Sequence, residues 1–275
     1  MSVSRRSAAW LALLLAACEP ATSGTCAADP EEVWIVSELA FGRAEGRVAP
    51  GFDLDGLVGM QCGARDYTAP DGTPGIDNAL AELLPLVEAQ VGGLRLDGLV
   101  QNSIASGQIL LAFQLAGVDD RTRDGCVGVR MRRLSGSPLL SSDNLLLPFQ
   151  TLYPDDTAVV NELGESRIDG ARIEPTPTDI SLPVSILDAR FTLDVRDAHV
   201  RITYVGDDVV EGMVAGGIDV EQIIGIVGTL NIPDDLEAMA GLLVRSYADL
   251  EPQGRDCGQI SAVLTFRAVP GFIGD

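Results

Sequence analysis

Apolar positions recur at every second residue in some stretches of this chain and at three- and four-residue spacing in others, so strands and amphipathic helices are both written into it. The run 33–41 is apolar and β-rich and predicts an opening strand. The run 109–118 is broken only by Gln114, which suits a strand buried on both faces. In 126–134 Val127, Val129 and Met131 alternate with Arg130 and Arg132, one face for the core and one for water. Phe191, Leu193 and Val195 alternate with Thr192, Asp194 and Arg196. A turn near Asp197 and a second alternating run, 198–205, make this a meander. The stretch 260–268 closes the chain as a strand.

Helical spacing appears four times. Leu80, Leu83, Leu84, Val87 and Val91 form a stripe across 78–91, kinked at Pro85. A short helix fits 97–106 and stops at Gly107. Asp219 and Gln222 resemble a capping box ahead of Val220, Ile223, Ile224 and Val227. Pro233 then opens a helix to Tyr247, with Leu236, Met239, Ala240 and Leu243 on its stripe. The segments 51–78 and 135–156 read as long loops, a length that is uncommon in compact domains without a function. Strands and helices are interspersed without a βαβ beat. The expected fold is therefore α+β, an antiparallel sheet or sandwich-like core with several amphipathic helices.

The first thirty residues follow neither pattern. Arg5 and Arg6 precede an apolar core, Ala8 to Ala17, that is too short to span a bilayer. Leu15-Ala16-Ala17-Cys18 ends it. This segment resembles the leader of bacterial lipoproteins, whose box is Leu, two small residues and an invariant Cys. The resemblance implies cleavage before Cys18, acylation of Cys18 and a membrane anchor. Glu19 follows, where Asp would imply retention in the inner membrane, so the implied destination is the outer membrane. A buried N-terminal helix and an ordinary secretory signal are the competing readings. The expected organisation is a signal peptide at 1–17, an acylated N-terminus and flexible tether at 18–32, and a single globular α+β domain at 33–275.

With 46% hydrophobic residues the chain has material for a sizeable core. All nineteen basic residues are Arg, and loss of the leader leaves 17 of them against 40 acids, a net charge of −23. Such acidity excludes nucleic acid as a partner. Beyond Cys18 the cysteines are Cys26, Cys62, Cys126 and Cys257, an even number that predicts two disulfides in an oxidising compartment, with three connectivities open. Zinc is the weaker alternative, because no close Cys pair exists and the one histidine is far from every cysteine in sequence.

Residue types also limit the chemistry. A chain without Lys has no phosphate-loop lysine, no Schiff base and no Ser-Lys dyad. It has no G-x-S-x-G or G-x-G-x-x-G motif either. His199, the sole imidazole, falls on a polar strand face beside Asp197, Arg201 and Thr203, which reads as a solvated strand histidine. The expectation is that the protein is not an enzyme, with no catalytic residues and no cofactor. One stretch offers metal chemistry. Asp53, Asp55, Asp66, Asp71 and Asp77 lie in an acid- and glycine-rich loop of the kind calcium favours, although no EF-hand register fits. Turn formation at Asp71-Gly72 and Pro74-Gly75, with Asp77 or Asn78 capping the next helix, explains the same residues.

Gly51-Phe52-Asp53-Leu54-Asp55-Gly56, Cys62-Gly63, Asp71-Gly72 and Gly75-Ile76-Asp77-Asn78 are similar to segments of envelope lipoproteins from high-GC Gram-negative bacteria that have no assigned activity. That resemblance implies an envelope location and transfers no catalytic residue. Three functions are open. The first is a non-catalytic, outer-membrane-anchored module that offers an acidic, disulfide-braced surface, calcium-stabilised or not, to an envelope protein or glycan. The second is a carrier of lipid or another hydrophobic ligand, which needs an apolar cavity of several hundred Å³. The third is a carboxylate-based hydrolase.

Overall fold

A computed structural model describes residues 26–28, 31–90, 95–186, 189–229, 234–254 and 256–274. The leader, Cys18 and most of the tether lie outside the described residues, as do Val91 and Pro233. In chain order the strands are β1 (Glu31–Phe41), β2 (Met60–Gln61), β3 (Ala64–Arg65), β4 (Tyr67–Thr68) and β5 (Pro74–Ile76). Helices α1 (Leu80–Gln90) and α2 (Leu96–Ala105) follow, then β6 (Leu110–Ala116), β7 (Arg123–Ser135), β8 (Thr151–Pro154), β9 (Asn161–Asp169) and β10 (Arg172–Ile173). Next come β11 (Thr178–Ile186), β12 (Ala189–Tyr204), β13 (Val210–Asp219), α3 (Val220–Thr229), α4 (Asp234–Tyr247), β14 (Leu250–Gln253), β15 (Asp256–Pro270) and β16 (Phe272–Ile273).

Eight of these strands close on themselves. The order β7-β6-β1-β15-β13-β12-β10-β9 is completed by pairing of β9 with β7, and every pair in the ring is antiparallel. The result is an up-and-down β-barrel, an arrangement that leaves no open edge in the ring. This corrects the α+β expectation: the protein is 49% strand and 18% helix, and its sheet is a closed barrel rather than a sandwich-like layer under helices. The meander is corrected with it. No turn falls at Asp197; β12 runs straight through, with a register shift between Arg196 and His199 and a positive φ of 44° at Asp197. That bulge takes up the extra residue, so Val195 and Ala198 both stay buried and both halves of the strand serve one core.

An eight-stranded barrel is just wide enough for its own side chains, and here they fill it. Trp34, Phe113 and Met131 stand opposite one another on β1, β6 and β7, each about 1% exposed. Phe113 stacks on Phe266 with ring centroids 4.7 Å apart, and Trp34 meets Tyr204 edge-on at 5.7 Å. Helix α2 packs against β1 at its Phe41 end and against β11, which pairs with β12 outside the ring. Its place is fixed by the Gln101 amide donating to Ser37 O at 2.9 Å and by Asp97 accepting the Phe41 N–H at 3.0 Å. A small apolar cavity among Phe41, Leu80, Leu182, Leu193, Val214 and Leu264 measures about 40 Å³, and an open groove of about 750 Å³ lies between α2 and the wall.

The helices form close to their sequence-predicted places, but the proposed capping box does not. Gln222 exchanges hydrogen bonds with Asp194, and Asp219 accepts from Gln259. No helix among the described residues is long and apolar enough to cross a membrane, which says nothing of membrane crossing by strands.

Candidate functional site

The acid-rich loop lies against the barrel wall and is held by its own carboxylates. Asp77 ends the loop just before α1, and its Oδ2 accepts the backbone N–H of Leu54 at 2.7 Å and of Asp55 at 3.3 Å. Asp53 accepts from Gly56 N and Asp55 from Leu57 N, turn contacts typical of Asx residues. Carboxylate oxygens of Asp53, Asp55 and Asp77 come within 4.8 Å of one another, from exposed, half-buried and buried positions respectively. Burial, with Asp55, Asp249 and Asp66 nearby, pushes the Asp77 carboxyl up to about 7.

Behind this loop lies a group that the sequence pattern does not reveal. Asp249, buried just after α4, accepts the Ser261 backbone N–H at 2.7 Å and its hydroxyl at 2.5 Å. Ser261 Oγ in turn accepts the Ala79 N–H at 2.7 Å, at the start of α1. Burial raises the Asp249 carboxyl to about 6. A cleft of about 280 Å³ opens beside Asp55, lined by Arg196, Asp197, Leu250, Glu251 and Gln259 among others.

The structure therefore gathers three of the five acids named from sequence. Asp66 accepts from Gly59 N at the edge of the group. Asp71 forms its own exposed turn with the Thr73 N–H, which holds its carboxyl below the usual range. Among the described residues, Asp53, Asp55 and Asp77 are the carboxylate group close enough together to hold a cation, although each already accepts backbone N–H groups. The one other cluster of the kind, Cys26, Cys126 and Glu165, has its cysteines joined to each other. Nothing beyond the three carboxylates marks an ion site, and turn formation explains each of them.

The second polar cluster closes the opposite end of the barrel. Glu32 is its hub: its carboxylate accepts from Trp34 Nε1 at 3.0 Å, Tyr204 Oη at 3.0 Å and Arg121 Nε at 2.9 Å. The Arg121 guanidinium lies 5.3 Å from the Trp34 ring and 5.4 Å from the Tyr204 ring. Burial, with Glu32 beside it, drives the Tyr204 hydroxyl above its ordinary range, so it acts as a donor. Glu32→Ala should leave the buried Trp34 and Tyr204 donors and the partly exposed Arg121 short of their acceptor and cost about 2 kcal/mol in chemical denaturation. An unchanged midpoint would show that water takes over the carboxylate's role.

His199 stands half-buried on the outer wall, not freely solvated as expected. Its ring centroid is 5.2 Å from that of Phe52, the Arg201 guanidinium covers Phe52 at 4.6 Å, and burial lowers the imidazole's pKa. The disulfides are Cys26–Cys126 and Cys62–Cys257, which selects one of the three connectivities and leaves no thiol among those four for zinc. Of these clusters the sequence announced only the acidic loop. Glu32, Arg121 and Tyr204 are far apart in the chain, and Asp249 meets Ser261 across the β14–β15 hairpin.

Comparison with known proteins finds no family model that matches the chain, no curated protein similar to it and no solved structure that resembles it.

Proposed function

We propose that the protein is a non-catalytic lipoprotein of the outer membrane, held by an acylated Cys18, whose disulfide-braced barrel presents an acidic outer surface to an envelope protein or glycan. The observation that carries this reading is the filled barrel. An apolar space of about 40 Å³ is far below the several hundred Å³ that a lipid or drug-sized ligand needs, so the interior serves stability and the outside is left for recognition. The disulfides support an oxidising, extracytoplasmic setting. The lack of Lys and the packing of the half-buried sole His against Phe52 support the non-catalytic part.

Intact and native mass spectrometry of the chain produced with its own leader tests the proposal. The expected species starts at Cys18, carries acyl groups there, contains two disulfides and retains no further small molecule. A lipid-sized adduct that survives enzymatic removal of the acyl groups would move the assignment to a carrier. An uncleaved or unacylated chain would remove the anchor.

A further inference from the structure

The outer wall of the barrel carries an apolar surface that begins beside Glu31 and Arg121, at the end from which the chain runs back to Cys18, and extends along the wall towards the opposite end, where Tyr153 pairs with Ser135 and Pro138 meets the Gly107 turn. Leu139 is 62% exposed, Phe149 55%, Phe272 54% and Tyr153 52%, with Leu147 beside them at 39%. One buried residue organises them. The Gln150 amide accepts from Leu139 N at 2.8 Å and donates to Leu147 O at 2.7 Å, while Gln150 O accepts from Phe272 N at 2.9 Å. Phe149 sits at φ = 60°, a backbone state costly for an aromatic residue, and its N–H is tied to Pro270 O at 2.6 Å. Burying Phe149 would be the ordinary return for such strain; here the ring is held outward instead. Phe149 and Phe272 line one cleft of about 360 Å³ together with Glu31, Glu32 and Arg121.

Where the chain leaves the barrel identifies the occupant. Cys26 is fixed to Cys126 on β7, and Ala27 passes directly against Gly117 in the β6–β7 turn, next to the start of β1. Cys18 is only eight residues earlier, so the acylated residue stays within about 28 Å of that point even at full extension. The end of the barrel that carries Phe149 and Phe272 is thereby confined to the bilayer surface at high effective concentration. A second copy fits worse, because two chains at −23 repel, whereas a zwitterionic lipid surface carries no net charge to oppose.

On the reading that Cys18 is acylated, we propose that Leu139, Leu147, Phe149 and Phe272 form a membrane-docking face that lays the barrel wall-down, beside its anchor, on a zwitterionic lipid surface. Rings and branched aliphatic chains enter the headgroup boundary, where such side chains are favoured.

The test uses the full chain with its own leader, reconstituted in phosphatidylcholine vesicles whose acyl chains carry bromine, a short-range quencher of tryptophan. The variants are Phe149→Trp at the docking face and Leu242→Trp on exposed α4, with buried Trp34 as common background. Docking is expected to remove about half or more of the added Phe149→Trp emission and almost none of that from Leu242→Trp. Equal quenching of the two, or none, in protein that floats with the vesicles overturns the docking face and leaves the anchor standing. Protein that does not float and lacks acyl mass overturns both. If the full chain with Cys18→Ser sediments as a dimer that Phe149→Ser dissociates, the face belongs to a second copy and the bilayer assignment fails.

Discussion

Between pH 4.5 and pH 8 the protein is expected to lose about 3 kcal/mol of stability. Asp77 and Asp249 are both buried, with carboxyls raised to about 7 and about 6, while in the unfolded chain each titrates near 4. Over that interval the folded state holds protons that the unfolded state has released, so rising pH favours unfolding. Their contribution is fully present below about pH 4 and is gone once pH passes 7. Taken at full value the two would contribute roughly 7 kcal/mol, at 1.36 kcal/mol per pH unit, and solvent screening at the loop reduces the expected figure to about 3. The charged groups that act most on Asp77 are Asp55, Asp249 and Asp66, all acidic, and they add to the effect of burial.

Below pH 4 the sign reverses. The Arg43 guanidinium holds the Glu88 carboxyl below its ordinary range, and the N–H groups of Cys126 and Asp119 do the same for Asp124, so their contributions disappear on acidification. Thermal melts should therefore peak near pH 4 to 5. Asp77→Asn keeps an oxygen for the Leu54 N–H while removing the charge. It should flatten the alkaline limb and raise stability at pH 8 by about 1 to 2 kcal/mol. A wild-type melt that is level from pH 5 to 8 would show that both carboxylates ionise normally in the folded state.

The same acids show how far the sequence could be read. The strands with strong alternation or continuous apolar character, β1, β6, β7, β15 and both halves of β12, were legible, and they are more than half of the barrel ring. β13 was not, because Gly212, Gly216 and Gly217 dilute its pattern, yet the fold demands them. A Cβ on Gly212 would stand 2.0 Å from Arg201 O and 2.5 Å from the Phe266 ring. β9 offers only Leu163 and Ile168 as buried apolar residues among charged and polar ones, and β10 is two residues long, so neither shows a strand pattern. Without them the sheet cannot close, and an open sheet under helices is the natural reading. Asp197 looked like a turn because turns and bulges draw on the same residues; only the partner strand decides which one forms. Asp53, Asp55 and Asp77 were visible because they lie close in sequence. Glu32 with Arg121 and Tyr204, and Asp249 with Ser261, depend on pairing across the barrel and on a hairpin, and neither leaves a local signature.

Replacing Cys62 and Cys257 together by Ser should destabilise the protein by about 4 kcal/mol. The bond closes a loop of 195 residues, and the loop-entropy relation gives about 5 kcal/mol for that length; measured values for native disulfides run somewhat lower. For a domain of this size the melting temperature should fall by about 10 °C. Position adds to entropy. Cys62 lies in the acidic loop and Cys257 is buried on β15, so this bond presses the loop that carries Asp53, Asp55 and Asp66 onto the wall beside Asp77. Without it, that segment is held mainly by turn contacts and by the Asp77 acceptors, and it should become the first part of the chain to be cleaved by protease. Cys26→Ser with Cys126→Ser provides the contrast. It closes a loop of 100 residues and should cost nearly as much in stability, yet cleavage should then concentrate ahead of β1, between the tether and the barrel. If both double variants melted alike and were cut at the same places, the two bonds would act only through the unfolded chain, and the bracing of the acidic loop would be an incidental product of the fold.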